Sequence, residues 1–159
     1  MVNAIYPGSF DPITNGHLDI INRTRKLYNK LFIVINENIN KKTFFSIEER
    51  KQLVEECVKG MDNVEVIITN KLTVEVCKEL NAQVIIRGLR MVSDFEYELQ
   101  MSSFNRILDS DVETIFIMAD HNYSFLSSSS VKEIVLFGGN ISRFVPKNVE
   151  LALRQKIKS

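Results

Sequence analysis

Short runs of apolar, mostly β-branched residues recur along the chain: Val2–Tyr6, Leu31–Ile35, Val64–Ile68, Val84–Ile86 and Thr114–Met118. Their length suits strands buried on both faces of a parallel sheet. Helical spacing fills the intervals. Over His17–Tyr28, Leu18, Ile21 and Tyr28 share one side, with Ile20 and Leu27 beside them. Ser46–Val58 opens with "SIEE", a capping box in which Ser46 caps and Glu49 reaches back. Thr73–Leu80 is short, and the following Asn81 suits a helix C-terminus. Ser93–Leu108 opens with "SDFE", a second box from Ser93 and Glu96. Ser128–Phe137, with a box from Ser130 and Glu133, and Pro146–Ile157 complete the set, and Gly138-Gly139 breaks the chain between them.

This alternation predicts an α/β fold: one Rossmann-like domain over residues 1–159, with a five-stranded parallel sheet and helices on both faces. Ligands of such folds bind beyond the carboxyl ends of the strands. The loops to inspect are therefore Pro7–Gly16, Asn36–Phe45, Asn70–Leu72, Arg87–Val92 and Ala119–Ser127. Lys plus Arg equals Asp plus Glu, twenty each, so no charge excess argues for a nucleic-acid or membrane partner. Cys57 and Cys77 fit no zinc spacing and read as buried free thiols of a reducing compartment. With no signal segment and no long apolar run, a cytoplasmic protein is expected.

Three loops carry the chemistry. In "YPGSFDPITNGH", Gly8 allows close backbone approach, Ser9 offers a hydroxyl, and Gly16-His17 opens a helix whose N-terminus favours an anion. The other reading is a turn with a helix-opening histidine. In "IIRGLRMVSDFEYE", Arg87 stands at the sheet's carboxyl edge, Gly88 turns the chain, and Arg90 projects from that turn. Two arginines so spaced suit phosphate contacts, with surface ion pairs as the alternative. In "YSFLSSSSVKE", capping accounts for one serine and leaves further hydroxyls for a second anion cradle. Lys41 and Lys42 add positive charge near the rim, and His121 reads as a surface histidine. There is no GxSxG elbow, no Cys/His nucleophile pair and no metal-ligand cluster in the motifs. Nucleotidyl transfer to a phosphate needs none of these, because the attacking oxygen is already ionised near neutral pH.

"YPGSFDPITNGH", "IIRGLRMVSDFEYELQ" and "SFLSSSSVKE" together closely resemble the bacterial phosphopantetheine adenylyltransferases of the nucleotidylyl transferase superfamily. "TNGH" resembles the superfamily's HxGH motif, and "SSS" its serine-rich signature. The resemblance implies adenylyl transfer from ATP to 4′-phosphopantetheine, giving dephospho-CoA and pyrophosphate, the penultimate step of coenzyme A synthesis. It implies Mg²⁺ with the nucleotide and a homohexamer built from two trimers, and it raises coenzyme A as a feedback ligand. By matching position, Ser9 and Phe10 are similar to ATP contacts, with Ser9 also near the acceptor. His17 resembles the histidine that stabilises the transition state. Lys41, Thr73 and Arg87 match acceptor contacts; Gly88, Leu89, Arg90 and Glu98 match the nucleotide site. Tyr123, Ser124, Phe125, Leu126, Ser127, Ser128 and Ser129 match the loop around the ATP phosphates. Lys71-Leu72-Thr73 is the least typical stretch. The rival readings are a glycerol-phosphate cytidylyltransferase, a nicotinamide mononucleotide adenylyltransferase, or a noncatalytic nucleotide-sensing module.

Overall fold

The apolar runs pair as strands β1 (Asn3–Gly8), β2 (Leu31–Asn36), β3 (Val64–Thr69), β4 (Ala82–Leu89) and β5 (Glu113–Met118). All pairings are parallel, in the order β3-β2-β1-β4-β5. The computed structural model describes residues 2–37 and 42–158. Ala4 of β1 is paired with Leu31 on one side and Val84 on the other, so β1 is the centre of the sheet. Strand order reverses between β1 and β4, the point where open α/β sheets form a crevice.

The period of two in each strand sorts the side chains between two layers. Ala4, Tyr6, Leu31, Ile33 and Ile35 pack with Ile20, Ile21, Val54, Val131, Val149 and Leu153. Those partners come from helices α1 (Asn15–Thr24), α2 (Ile47–Cys57), α5 (Ser128–Leu136) and α6 (Lys147–Lys158). On the other face Ile5, Phe32, Val34 and Ile85 meet Val76 and Cys77 of α3 (Thr73–Glu79). There α4 (Val92–Leu108) lies beside β4 and β5, and Phe95 sets its ring edge-on to Phe116 at 5.7 Å. The five-stranded parallel sheet with helices on both faces is as expected.

Several boundaries differ from those read in the sequence. β1 and β4 continue past their apolar runs, because backbone pairing with β2 and β5 does not require apolar side chains. Arg87 and Gly88 are therefore strand residues, paired with Phe116 and Ile117, and Gly88 does not turn the chain. Its role is close approach: a Cβ there would stand 2.5 Å from Ile20 Cδ1. The first helix starts at Asn15 and ends at Thr24, so Leu27 is exposed. The Ser46–Glu49 box forms as expected. The Ser93–Glu96 box does not, because α4 begins one residue before Ser93, after an extended Met91. The Ser130–Glu133 box is likewise displaced: Ser127 caps α5 and receives the Ser130 N–H. Asn81 has a φ of 48°, as a residue ending a helix in the left-handed region does. Cys57 and Cys77 are free thiols, partly and fully buried. Among the described residues, no helix is long and apolar enough to cross a membrane.

Candidate active site

At the reversal point between β1 and β4, a cavity of about 300 Å³ is lined by Gly8, Ser9, His17, Arg87, Arg90 and Ser127–Ser129, with Tyr6, Pro7, Phe10, Gly88 and Leu126. The sequence places these residues far apart, and parallel pairing brings them to one edge. A second cavity of about 150 Å³ meets the first at Pro7 and Arg87 and extends to Thr73, Tyr97 and Glu98.

His17 does not open its helix. It sits in the first turn of α1, three residues after the N-cap Thr14, and completes a capping box. Its backbone N–H donates to Thr14 Oγ1, and the Thr14 backbone N–H donates to His17 Nδ1 at 3.0 Å. A backbone amide can only donate, so Nδ1 is unprotonated and the neutral ring carries its proton on Nε2. Burial, and secondly the Arg90 guanidinium, push the imidazole down to about 4. The ring is therefore a neutral donor at pH 7. Phe10 and Tyr6 wall it in, with centroids 5.1 and 6.5 Å from the imidazole. Phe10 takes a φ of 45°, a left-handed backbone rare for a large side chain.

The serine loop is the second donor. Ser127 Oγ accepts from Ser130 N at 3.0 Å, and Ser128 Oγ donates to Pro12 O at 2.8 Å, tying α5 to the first loop. The first N–H groups of a helix have no intrahelical acceptor; Ser127 takes the Ser130 amide, and Ser128 and Ser129, at the positive dipole end of α5, line the cavity. Lys132, one turn on, pairs with the buried Asp11 at 2.9 Å. Burial acts to raise the Asp11 carboxyl, but the Phe44 and Phe45 amides and Lys132 outweigh it and hold it below the usual carboxylate range.

Arg87 is more constrained than its position in the sequence suggests. Its Nε and Nη2 donate to the two Glu98 oxygens at 2.6 and 2.5 Å, and Nη1 donates to Pro7 O at 2.8 Å. Arg90 pairs with Asp94 and donates to Leu126 O at 3.2 Å, linking β4 to the serine loop.

Most of the residues singled out from the sequence thus converge on one cleft. Tyr123 lines a small adjoining recess with Gly16, His17 and Arg90. Leu89 is buried and absent from these linings. Ser124 donates to His121 O, and exposed Phe125 sets its ring against Phe144. Lys41 lies outside the described residues. Lys42 is exposed, and His121 is a surface histidine as expected. Sequence reasoning missed Thr14, Asp11, Lys132 and Arg50. Only the first left a local signal, since Thr14 and His17 have capping-box spacing.

The sequence profile of the cytidylyltransferase-like family matches residues 5–134. Phosphopantetheine adenylyltransferase of Staphylococcus haemolyticus is 54% identical over 155 residues, covering 98% of this chain and 96% of the relative. The Clostridium botulinum protein of the same name is 52% identical over 156 residues, covering 97% and 98%. Two solved structures share the fold at low identity. One, described as a nicotinate-nucleotide adenylyltransferase from Vibrio parahaemolyticus, has a TM-score of 0.74 at 18% identity over 99% of this chain and 95% of that one. The other, a bifunctional NMN adenylyltransferase/ADP ribose pyrophosphatase from Francisella tularensis, has a TM-score of 0.70 at 20% identity over 100% of this chain and 50% of that one. On the family profile and on near full-length identity above one half, the chain belongs to the cytidylyltransferase-like family and, within it, to the phosphopantetheine adenylyltransferases.

Proposed function

We propose that residues 1–159 act as one nucleotidyltransferase domain that moves the adenylyl group of ATP onto 4′-phosphopantetheine, yielding dephospho-CoA and pyrophosphate. The observation that carries this reading is the neutral His17 ring, with its proton on Nε2, in one cavity with the N-terminus of α5. An acceptor phosphate, with a second pKa of about 6, is mostly a dianion at pH 7 and needs no base. Its oxygen attacks the α-phosphorus in line. The new P–O bond forms as the bond to the β-phosphate breaks, and pyrophosphate leaves with that electron pair.

His17 Nε2–H donates to the α-phosphate as charge shifts there, and the α5 N-terminus with Ser127–Ser129 holds the β- and γ-phosphates. Arg87 and Thr73 face the acceptor from the second cavity, with Ser9 between the two substrates. Arg90, Gly88, Glu98 and Phe10 shape the nucleotide side. Among the described residues, no group of three or more His, Cys, Asp or Glu is placed to hold a metal. Ser hydroxyls and helix N–H groups around an anion cleft fit a Mg²⁺ whose ligands are mainly phosphate oxygens and water. The ion would neutralise charge on the leaving pyrophosphate.

A homohexamer and a cytoplasmic location belong to the same reading. Support for the assembly is that α4 has no buried residue, although Phe95, Leu99, Met101, Phe104 and Ile107 lie along it. Covering such a surface in a subunit interface removes apolar area from water.

The decisive experiment is turnover with ATP and Mg²⁺ across 4′-phosphopantetheine, pantetheine and nicotinamide mononucleotide, with CTP and glycerol phosphate as a separate pair. Only the first acceptor should turn over well. Equal use of pantetheine, or preference for another pair, would overturn the proposal. Arg87→Ala should raise the acceptor KM about tenfold while changing kcat less, as expected of a group that mainly holds the acceptor.

A further inference from the structure

Among the described residues, four cations stand around or directly beneath the cleft. Arg87 is paired with Glu98, Arg90 with Asp94, and Lys132 with Asp11. Arg50 differs. Only 3% of it is exposed, and among the described residues no carboxylate pairs with it. Its guanidinium rests on carbonyl oxygens: Nη1 donates to Ser9 O at 2.8 Å and Asn36 O at 3.5 Å, and Nε donates to Ser46 O at 3.4 Å. A buried cation without a counter-ion costs stability, and carbonyl dipoles offset only part of that cost. The arrangement becomes favourable when anions enter above Ser9.

The geometry around it is reciprocal. Arg50 belongs to α2 and holds the carbonyl of Ser9, in the loop after β1. Asp11 belongs to that loop and takes the amides of Phe44 and Phe45, just before α2. Opposite charges thus clamp the two segments on either side of Ser9-Phe10. Phe10 is the residue held at φ 45°, and its ring packs against His17.

Resting on the adenylyl-transfer reading above, we propose that Arg50 is a positioning residue for that reaction: through the Ser9 carbonyl it fixes Ser9-Phe10 under the phosphates, and it supplies the one buried, uncompensated positive charge beneath the cleft among the described residues. Its two contributions separate by substitution. Arg50→Met keeps the side chain's bulk and loses the charge. Arg50→Lys keeps the charge but cannot span the three carbonyls with one ammonium.

The experiment measures kcat, both KM values, ATP affinity by calorimetry and the thermal midpoint on the same preparations. Arg50→Met should bind ATP about tenfold more weakly and turn over at least about tenfold more slowly, with the acceptor KM within about threefold. Arg50→Lys should recover ATP affinity to within about threefold while kcat stays about fivefold low or more. A folded Arg50→Met with both quantities within about twofold of the parent would overturn the proposal. If Arg50→Met does not fold, Arg50→Lys decides by the same criterion. Failure of both to fold would also overturn it, because Arg50 would then serve the fold and not the site. If the parent itself shows no turnover, the functional reading fails, and the ATP affinities still decide the role of Arg50.

Discussion

β2 and β5 are each six residues long, and each carries an apolar run, "LFIVI" and "TIFIM". In β2 every residue but the last is buried, whereas in β5 none is. The difference lies in sheet position. β2 has β3 and β1 as neighbours and helices over both faces, while β5 is an edge strand under α4, itself without a buried residue. Hydrophobic composition therefore specifies that a segment seeks cover, and topology decides whether one chain provides it. The cleft straddles this divide. Ser9, His17 and Ser127 stand on the covered side, in a lattice of caps and buried ion pairs. Arg87 stands on β4, Glu98 on α4 and Arg90 in the turn between them, beside the half that one chain leaves open.

If the covered side holds the chemistry rigidly, its donor carries the largest functional effect. On the proposed mechanism His17→Ala removes a preorganised donor at the reacting phosphorus, a loss that typically costs about 10²–10³ in kcat. The variant should bind ATP with modest loss and turn over at least about a hundredfold more slowly. A kcat within a few-fold of the parent would reduce His17 to its capping bond with Thr14 and break the comparison.

The same deletion on both sides tests the comparison through stability. Ile33 in β2 is 0% exposed and Ile115 in β5 is 36% exposed. Ile33→Ala should destabilise by about 3 kcal/mol, the range of buried Ile to Ala changes. Ile115→Ala should cost less than about 1 kcal/mol in a dissociated protomer. Denaturant unfolding at low protein concentration measures both. A growing cost of Ile115→Ala with protein concentration would show β5 covered by a second copy.

Local signals explain what the sequence made legible. The "SIEE" box formed because Ser46 and Glu49 have no competitor, while in "LSSSSVKE" four adjacent serines satisfy the capping preference and the chain path selects Ser127. "SDFE" failed as a box because an extended Met91 starts α4 early, and Asp94 is then used by Arg90. Cleft residues at strand ends were legible from the rule for parallel sheets. Arg87 with Gly88 was misread as a loop, since backbone pairing continues beneath polar side chains. The supports stayed hidden. Asp11 and Lys132 are 121 positions apart, and Ser9 and Arg50 are 41 apart, separations that no periodicity encodes.

The smallest effect concerns protons. His17 is held at about 4, below its ordinary 6.5, by burial first and Arg90 second. Between these values an unfolded chain binds a proton at this position that the folded chain refuses. Stability therefore rises with pH across the window: it is complete above about 6.5, falls as pH drops towards 4, and loses nothing further to this group below that. His17→Gln keeps an acceptor for the Thr14 amide but has no proton to gain. Its thermal midpoint should thus drop less than the parent's between pH 7 and 4.5, by about 5–10 °C, because roughly 2–3 kcal/mol of proton linkage shifts a domain of this size by about 2–4 °C per kcal/mol. Activity follows a different group. Because His17 is already neutral at pH 6, the acid limb of kcat/KM reports the acceptor phosphate, with its second pKa of about 6. The residual activity of His17→Gln should keep that limb within about a third of a pH unit of the parent's. A limb that vanished in the variant would mean that His17 ionises during turnover, and that the covered side of the cleft is less dry than its burial implies.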